Sequence, residues 1–180
     1  FLTHGSTLMQ LAFARPPTIP RANRFSYLMA LYAENFTRFE RLFQPRHRAG
    51  ELWRSSVDDG LDVHLHVLER HRYTTEFRLT YDLRDPVTGE PDPSVFLRMY
   101  HDARVIEATH CYVGRRWQDV LGLHPEPDTL FGHRLRMNIF LGKWLDFLAD
   151  QGHSPFTLLA DPKKNETISE TVLDGCAIAP

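Results

Sequence analysis

Apolar residues recur at three- and four-residue spacing between positions 24 and 43. Phe25, Leu28, Met29, Tyr32, Phe36, Phe39 and Phe43 fall on one helical face, and Glu34, Arg38 and Arg41 fall off it. Asn23 or Ser26 can cap the start, and Pro45 closes the end. From residue 51 the period changes to two. In the run Leu61 to Leu68, Leu61, Val63, Leu65 and Val67 point one way, while Asp62, His64 and His66 point the other. From Tyr73 to Asp82, Tyr73, Thr75, Phe77, Leu79 and Tyr81 share a face opposite Thr74, Glu76, Arg78 and Thr80. Pairing these runs about a loop centred on His71 sets Leu65 against Phe77 and Val63 against Leu79. It also sets His66 against Glu76 and His64 against Arg78. A second hairpin pairs Val95–Tyr100 with Val105–His110. Met99 then meets Ile106, Leu97 meets Ala108, and Arg98 meets Glu107 as a cross-strand ion pair.

An earlier strand at about Glu51 to Val57 brings the number of strands to about five. Asp85-Pro86, Gly89 and Pro91 mark a loop over 83–93, and residues 113–131 read as irregular. Residues 132–151 form a second helix, with Met137, Phe140, Leu141, Trp144, Leu145 and Leu148 as its apolar stripe and Gly152 as its C-cap. Pro16, Pro17 and Pro20 make residues 1–23 an extended arm. Residues 154–180 lack a sustained period and read as a tail, surface-wrapped or disordered. The order helix, grouped strands, helix defines an α+β domain over 24–153. An antiparallel meander carries one dry face, and the two aromatic-rich helices are the available cover for it.

Composition leaves this picture intact. The 180 residues are 42 % hydrophobic and 24 % charged, as in an ordinary globular domain. Twenty-one Lys and Arg against 23 Asp and Glu exclude a net basic footprint for nucleic acid. Charge is nevertheless uneven: residues 15–54 carry eight Arg and three Glu, whereas 146–180 carry six acids and two Lys. Either the acidic tail folds back onto the basic front, or each faces a partner. No apolar run approaches the ~18 residues of a membrane helix. Cys111 and Cys176 are too few for a disulfide framework or a structural zinc set, so reduced thiols and a cytoplasmic location are expected, with Cys111 a small buried hydrophobe. The chain starts at Phe1, so the sequence is open to being a piece of a longer protein. Leu8 to Ala14 resembles the end of a signal peptide, but no Lys or Arg precedes it and Gln10 interrupts its apolar core. A mobile or docking segment is the expected reading there.

No phosphate loop, dinucleotide fingerprint, zincin helix or nucleophile elbow occurs. Three polar motifs remain. His64 and His66 share a strand face, and with Glu76 across the pair they are a candidate site for a divalent metal in a hydrolase. Their bland alternative is a wet sheet face with a His66–Glu76 contact. Arg70, Arg72, Tyr73, Thr74 and Thr75 concentrate cations and hydroxyls at a hairpin end suited to an anion, against the alternative of a solvated turn. Tyr100, His101, Asp102 and Arg104 surround a second turn, in which Asp102 is expected to bind its own backbone rather than to orient His101 as a base. The leading expectation is a non-enzymatic binding or regulatory domain that needs no cofactor. It would use the two turns to hold an anionic small molecule or a protein partner. An oligomeric scaffold is the further alternative.

Four segments carry a family resemblance. Tyr32-Ala33-Glu34-Asn35-Phe36, Glu69 to Thr75, Tyr100-His101-Asp102-Ala103 and Asn138 to Leu141 with Lys143-Trp144-Leu145 are similar to the DUF1249 (YqiB-like) proteins of Gram-negative bacteria. The resemblance spans roughly residues 25–153. It implies a small cytoplasmic bacterial protein of unknown function and transfers no catalytic residue.

Overall fold

The structure, a computed structural model, describes residues 20, 23–47, 51–82, 94–111, 122 and 124–161. The expected loop at 83–93, most of the arm, much of 113–131 and the tail after 161, Cys176 included, lie outside the described residues. Helix α1 (Arg24–Phe43) covers the span that the helical period marks. Gln44 ends it in the left-handed conformation at φ 44°, donating its amide to the Glu40 carbonyl ahead of Pro45. Leu28, Tyr32, Phe36, Phe39 and Phe43 are buried as expected; Phe25, in the first turn, is 68 % exposed. Helix α2 (Pro127–Asp150) starts five residues before the expected position 132. Pro127 sits at its first position, where a missing N–H costs no hydrogen bond, so the proline that suggested irregular chain opens the helix instead. Gly152, at φ 93°, ends it with bonds from Gly152 to Ala149 and from His153 to Leu148.

The strands are β1 (Leu52–Ser55), β2 (Val63–Arg70), β3 (Thr74–Tyr81), β4 (Ser94–Tyr100), β5 (Val105–His110) and β6 (Leu158–Ala160). They form one antiparallel sheet of six strands in the order β5-β4-β3-β2-β1-β6. The architecture is therefore α+β, with one strand more than the alternation shows. Strand β6 is three residues long, too short for a period, and it exists because the chain turning after α2 lays Leu158 against Ser55 and Ala160 against Trp53.

The β2–β3 register departs from expectation. His71 donates its amide to the Thr74 carbonyl, so the loop is Arg72-Tyr73 and not a turn centred on His71. A bulge at Leu68 then shifts the ladder, setting Leu65 against Leu79, Val67 against Phe77 and Val63 against Tyr81. The displacement is two residues, so the apolar faces still coincide, and only the partners change. In β4–β5, Met99 faces Ile106, Leu97 faces Ala108 and Arg98 faces Glu107, as expected.

The dry face carries Val63, Leu65, Phe77, Leu79, Val95, Leu97, Met99 and Ile106, and the two helices close it. Phe39 packs on Phe77 at 5.3 Å between ring centroids, and Trp144 on Tyr81 at 5.2 Å. The helices run in the same sense, since Arg24 meets Asp128, Asn35 meets Asn138 and Arg38 meets Asp146. Asn138 also reaches β5, accepting from the Ala108 amide at 2.8 Å. Cys111 packs against the core, and burial pushes its thiol up to about 12, so it remains protonated at neutral pH.

Candidate functional site

Antiparallel order places the β2–β3 and β4–β5 turns at the same end of the sheet, because β2 and β4 run the same way. The two turns are tied together. The His101 amide donates to the Tyr73 carbonyl at 2.9 Å, and His101 Nε2 lies 2.8 Å from Thr75 Oγ1. Arg46, just beyond α1, donates to the His101 carbonyl at 3.0 Å and pairs with Glu40 at 3.4 Å. The end of α1 is thereby the third side of the patch.

Of the candidate binding residues, Arg70, Arg72, Tyr73, Asp102 and Arg104 are exposed, and Thr74, Tyr100 and His101 are half-buried. Thr75 is buried, with its hydroxyl engaged by His101, so it supports the patch from beneath. Asp102 accepts from the Ala103 amide at 2.9 Å, and His101 turns to Thr75 rather than to Asp102. Burial, then the nearby Arg46 guanidinium, lowers the His101 pKa, so this imidazole is neutral at pH 7. Arg72 stacks on Tyr73 at 5.0 Å; Arg104 and Arg46 both lie over the Phe36 ring, at 5.5 and 5.6 Å. Arg104 adopts φ 53°, uncommon for a side chain of its size. Neither Arg72 nor Arg104 has an acidic partner among the described residues.

A second polar region lies on the opposite sheet face. Glu76, Arg98 and Glu107 stand in one row across β3, β4 and β5. Arg98 pairs with Glu76 at 2.6 Å, not with Glu107 as expected, because Glu107 is engaged elsewhere. Tyr100 Oη donates to Glu107 Oε1 at 2.9 Å, while Tyr32 Oη and Arg134 Nη1 donate to Oε2 at 3.3 and 3.2 Å. Glu107 is 8 % exposed, and this one carboxylate joins both helices to two strands. Burial, then the Glu107 charge, pushes the Tyr32 hydroxyl up to about 12; burial likewise raises Tyr100. Beside the row opens a cleft of about 320 Å³, lined among others by Phe96, His110, Leu130, His133 and Arg134. His110 stacks on Phe96 at 4.1 Å and 9°, and burial lowers the pKa of both His110 and His133. Sequence reasoning paired Glu107 with Arg98 and missed Tyr32 and Arg134, whose contacts with it span 75 and 27 residues. Their helical positions alone contained no signal for that convergence.

The proposed metal ligands are not brought together. His64 faces Thr80, His66 faces Arg78, and Glu76 faces Glu69 while bound to Arg98. Among the described residues, no group of three or more His, Cys, Asp and Glu is placed to hold a metal ion. The physical reason is the two-residue loop, which sets Glu76 opposite Glu69; beyond the Leu68 bulge it is Arg78 that stands opposite His66.

Fold and polar face together define a helix-backed antiparallel α+β domain with a cationic turn cluster at one sheet end. Among the described residues, no helix is long and apolar enough to cross a membrane. Residues 38–154 match the model of DUF1249, a family of proteins of unknown function, and the chain belongs to that family. No curated protein and no solved structure matches it.

Proposed function

We propose that the chain is a non-enzymatic binding domain that holds an anionic group, of a small molecule or of an acidic protein segment, at the end of the sheet formed by residues 72–74 and 101–104. The observation that carries this reading is the pair of exposed guanidiniums, Arg72 and Arg104, on two turns locked side by side by the His101–Tyr73 and His101–Thr75 bonds. Planar donors on a preformed backbone suit carboxylate and phosphate oxygens and lose little conformational freedom on binding.

The test is a titration of the labelled protein with inorganic pyrophosphate and, separately, with a glutamate-rich peptide, followed by amide resonances. Either probe should move the resonances of 72–74 and 101–105 in a saturable, salt-sensitive manner. The double variant Arg72→Ala/Arg104→Gly should lose that response. Glycine at 104 removes the charge and relaxes a left-handed backbone, so the loss is separable from unfolding. A response unchanged in the double variant, or absent for both probes, overturns the reading.

A further inference from the structure

The cleft beside Glu107 has a charge pattern unlike that of the sheet end. Acid and base alternate from Glu76 to Arg98, then Glu107, then Arg134. Two carboxylates balance two guanidiniums, and the two imidazoles on the wall, His110 and His133, have depressed pKa values. A polyanion entering the cleft would meet two carboxylates, and a simple cation would meet two guanidiniums. A zwitterion satisfies both poles, since its cationic end meets an acid and its anionic end meets an arginine.

The outer members of the row are the ones with capacity left. Glu76 accepts Arg98 on Oε1 alone, leaving Oε2 without a hydrogen-bond partner among the described residues. Arg134 is half-exposed and is joined to Glu107 through Nη1. Glu76 and Glu107 are two strand spacings apart, about 10 Å, and Arg134 Nη1 lies 3.2 Å from Glu107 Oε2, so its guanidinium marks the far end of that span from Glu76. The ammonium and carboxylate of an α-amino acid, with one hydrogen bond at each end, span roughly 9 Å. Leu68, exposed at the bulge, and Leu130 and Phe96 supply an apolar wall for a side chain. A cleft of about 320 Å³ is at the small end of ligand sites and suits one such molecule. From this geometry we infer that the cleft binds a free α-amino acid with an apolar side chain, its ammonium on Glu76 and its carboxylate on Arg134.

The test separates the two poles. The labelled 180-residue chain is titrated with L-leucine, with L-leucinamide, which lacks the carboxylate, and with 4-methylpentanoate, which lacks the amine. L-leucine should saturate with a Kd of about 1 mM or tighter and move resonances of Leu68, Thr109 and His110, and each analogue should bind at least about tenfold more weakly. Glu76→Gln should weaken L-leucine by about tenfold or more while leaving the urea midpoint nearly unchanged, because the Glu76–Arg98 pair is partly exposed. No saturation by about 10 mM L-leucine, or equal binding of 4-methylpentanoate, overturns the proposal. The analogue comparison uses the unaltered protein, so it holds whether or not the variant folds, and it is independent of the pyrophosphate response at the sheet end.

Discussion

Asn138 of α2 holds both backbone groups of Ala108 on β5. Its Oδ1 accepts from the Ala108 amide at 2.8 Å, and its Nδ2 donates to the Ala108 carbonyl at 3.4 Å and to the Arg134 carbonyl at 2.8 Å. Strand β5 is an edge, and an edge leaves backbone donors and acceptors unpaired. One buried side-chain amide thus stands in for a seventh strand, and the backbone carbonyl of Asn138 accepts from Asn35 Nδ2 at 2.9 Å. Asn138→Ala should therefore cost about 2–4 kcal/mol, since it leaves several buried groups unpaired. Urea denaturation measures the loss, and hydrogen exchange should show selective deprotection of the Ala108 amide. A loss below about 0.5 kcal/mol would mean that water replaces the amide.

The same crossing explains a glycine. A Cβ on Gly142 would lie 2.8 Å from Asn35 Oδ1, whereas one on Gly132 in the same helix would meet nothing nearer than the tip of Arg136 at 4.0 Å. Gly142→Ala should destabilise by about 1–3 kcal/mol through overpacking. Gly132→Ala should stabilise by about 0.5–1 kcal/mol, because it removes the entropic cost of a helical glycine. Opposite signs in urea midpoints check the pair; equal signs would show that α1 and α2 do not approach as closely as described.

Glu107 offers a third test. Its hydroxyl donors Tyr32 and Tyr100 come from α1 and β4, and Tyr32 is buried. Glu107→Gln should cost about 2–3 kcal/mol, mostly through the weakened bond to the buried Tyr32 hydroxyl, because Arg134 is half-exposed and its pairing contributes little. Combining it with Tyr32→Phe should recover about 1 kcal/mol relative to additivity. Strict additivity would separate the two groups energetically.

Acid should loosen the fold through histidine. His153 is buried against Ser55 Oγ at 2.7 Å, and Ser55 Oγ in turn lies 2.7 Å from Thr157 Oγ1, a cluster that fastens β6 to β1. Burial holds His153 and His133 below the ordinary 6.5. The unfolded chain therefore binds protons that the folded chain refuses. Stability is complete above about pH 6.5 and falls as the pH drops below it. Urea unfolding at a series of pH values checks this slope, and His153→Gln should make the acid limb shallower. An unchanged limb would remove His153 from the account.

The helices and the strand faces were legible because burial imposes a period on the chain: α1 has the expected bounds, with only Phe25 and Met29 of its predicted stripe not fully buried, and every predicted apolar position of α2 is buried. Registers two residues apart were indistinguishable, because they bury the same side chains. The candidate metal geometry drew on that degeneracy: it needed Glu76 opposite His66, and Arg78 stands there. Strand β6, too short to show a period, was also out of reach.

Alternation and helical spacing, local consequences of solvent exclusion, determined the element types and which side of each faces inward. Strand order, the bulge, the meeting of the 72–74 and 101–104 turns, and the gathering of Tyr32, Tyr100 and Arg134 on Glu107 were decided only by tertiary structure. Those features depend on hydrogen bonds between residues distant along the chain, whose partners are selected by packing and leave no local periodic trace.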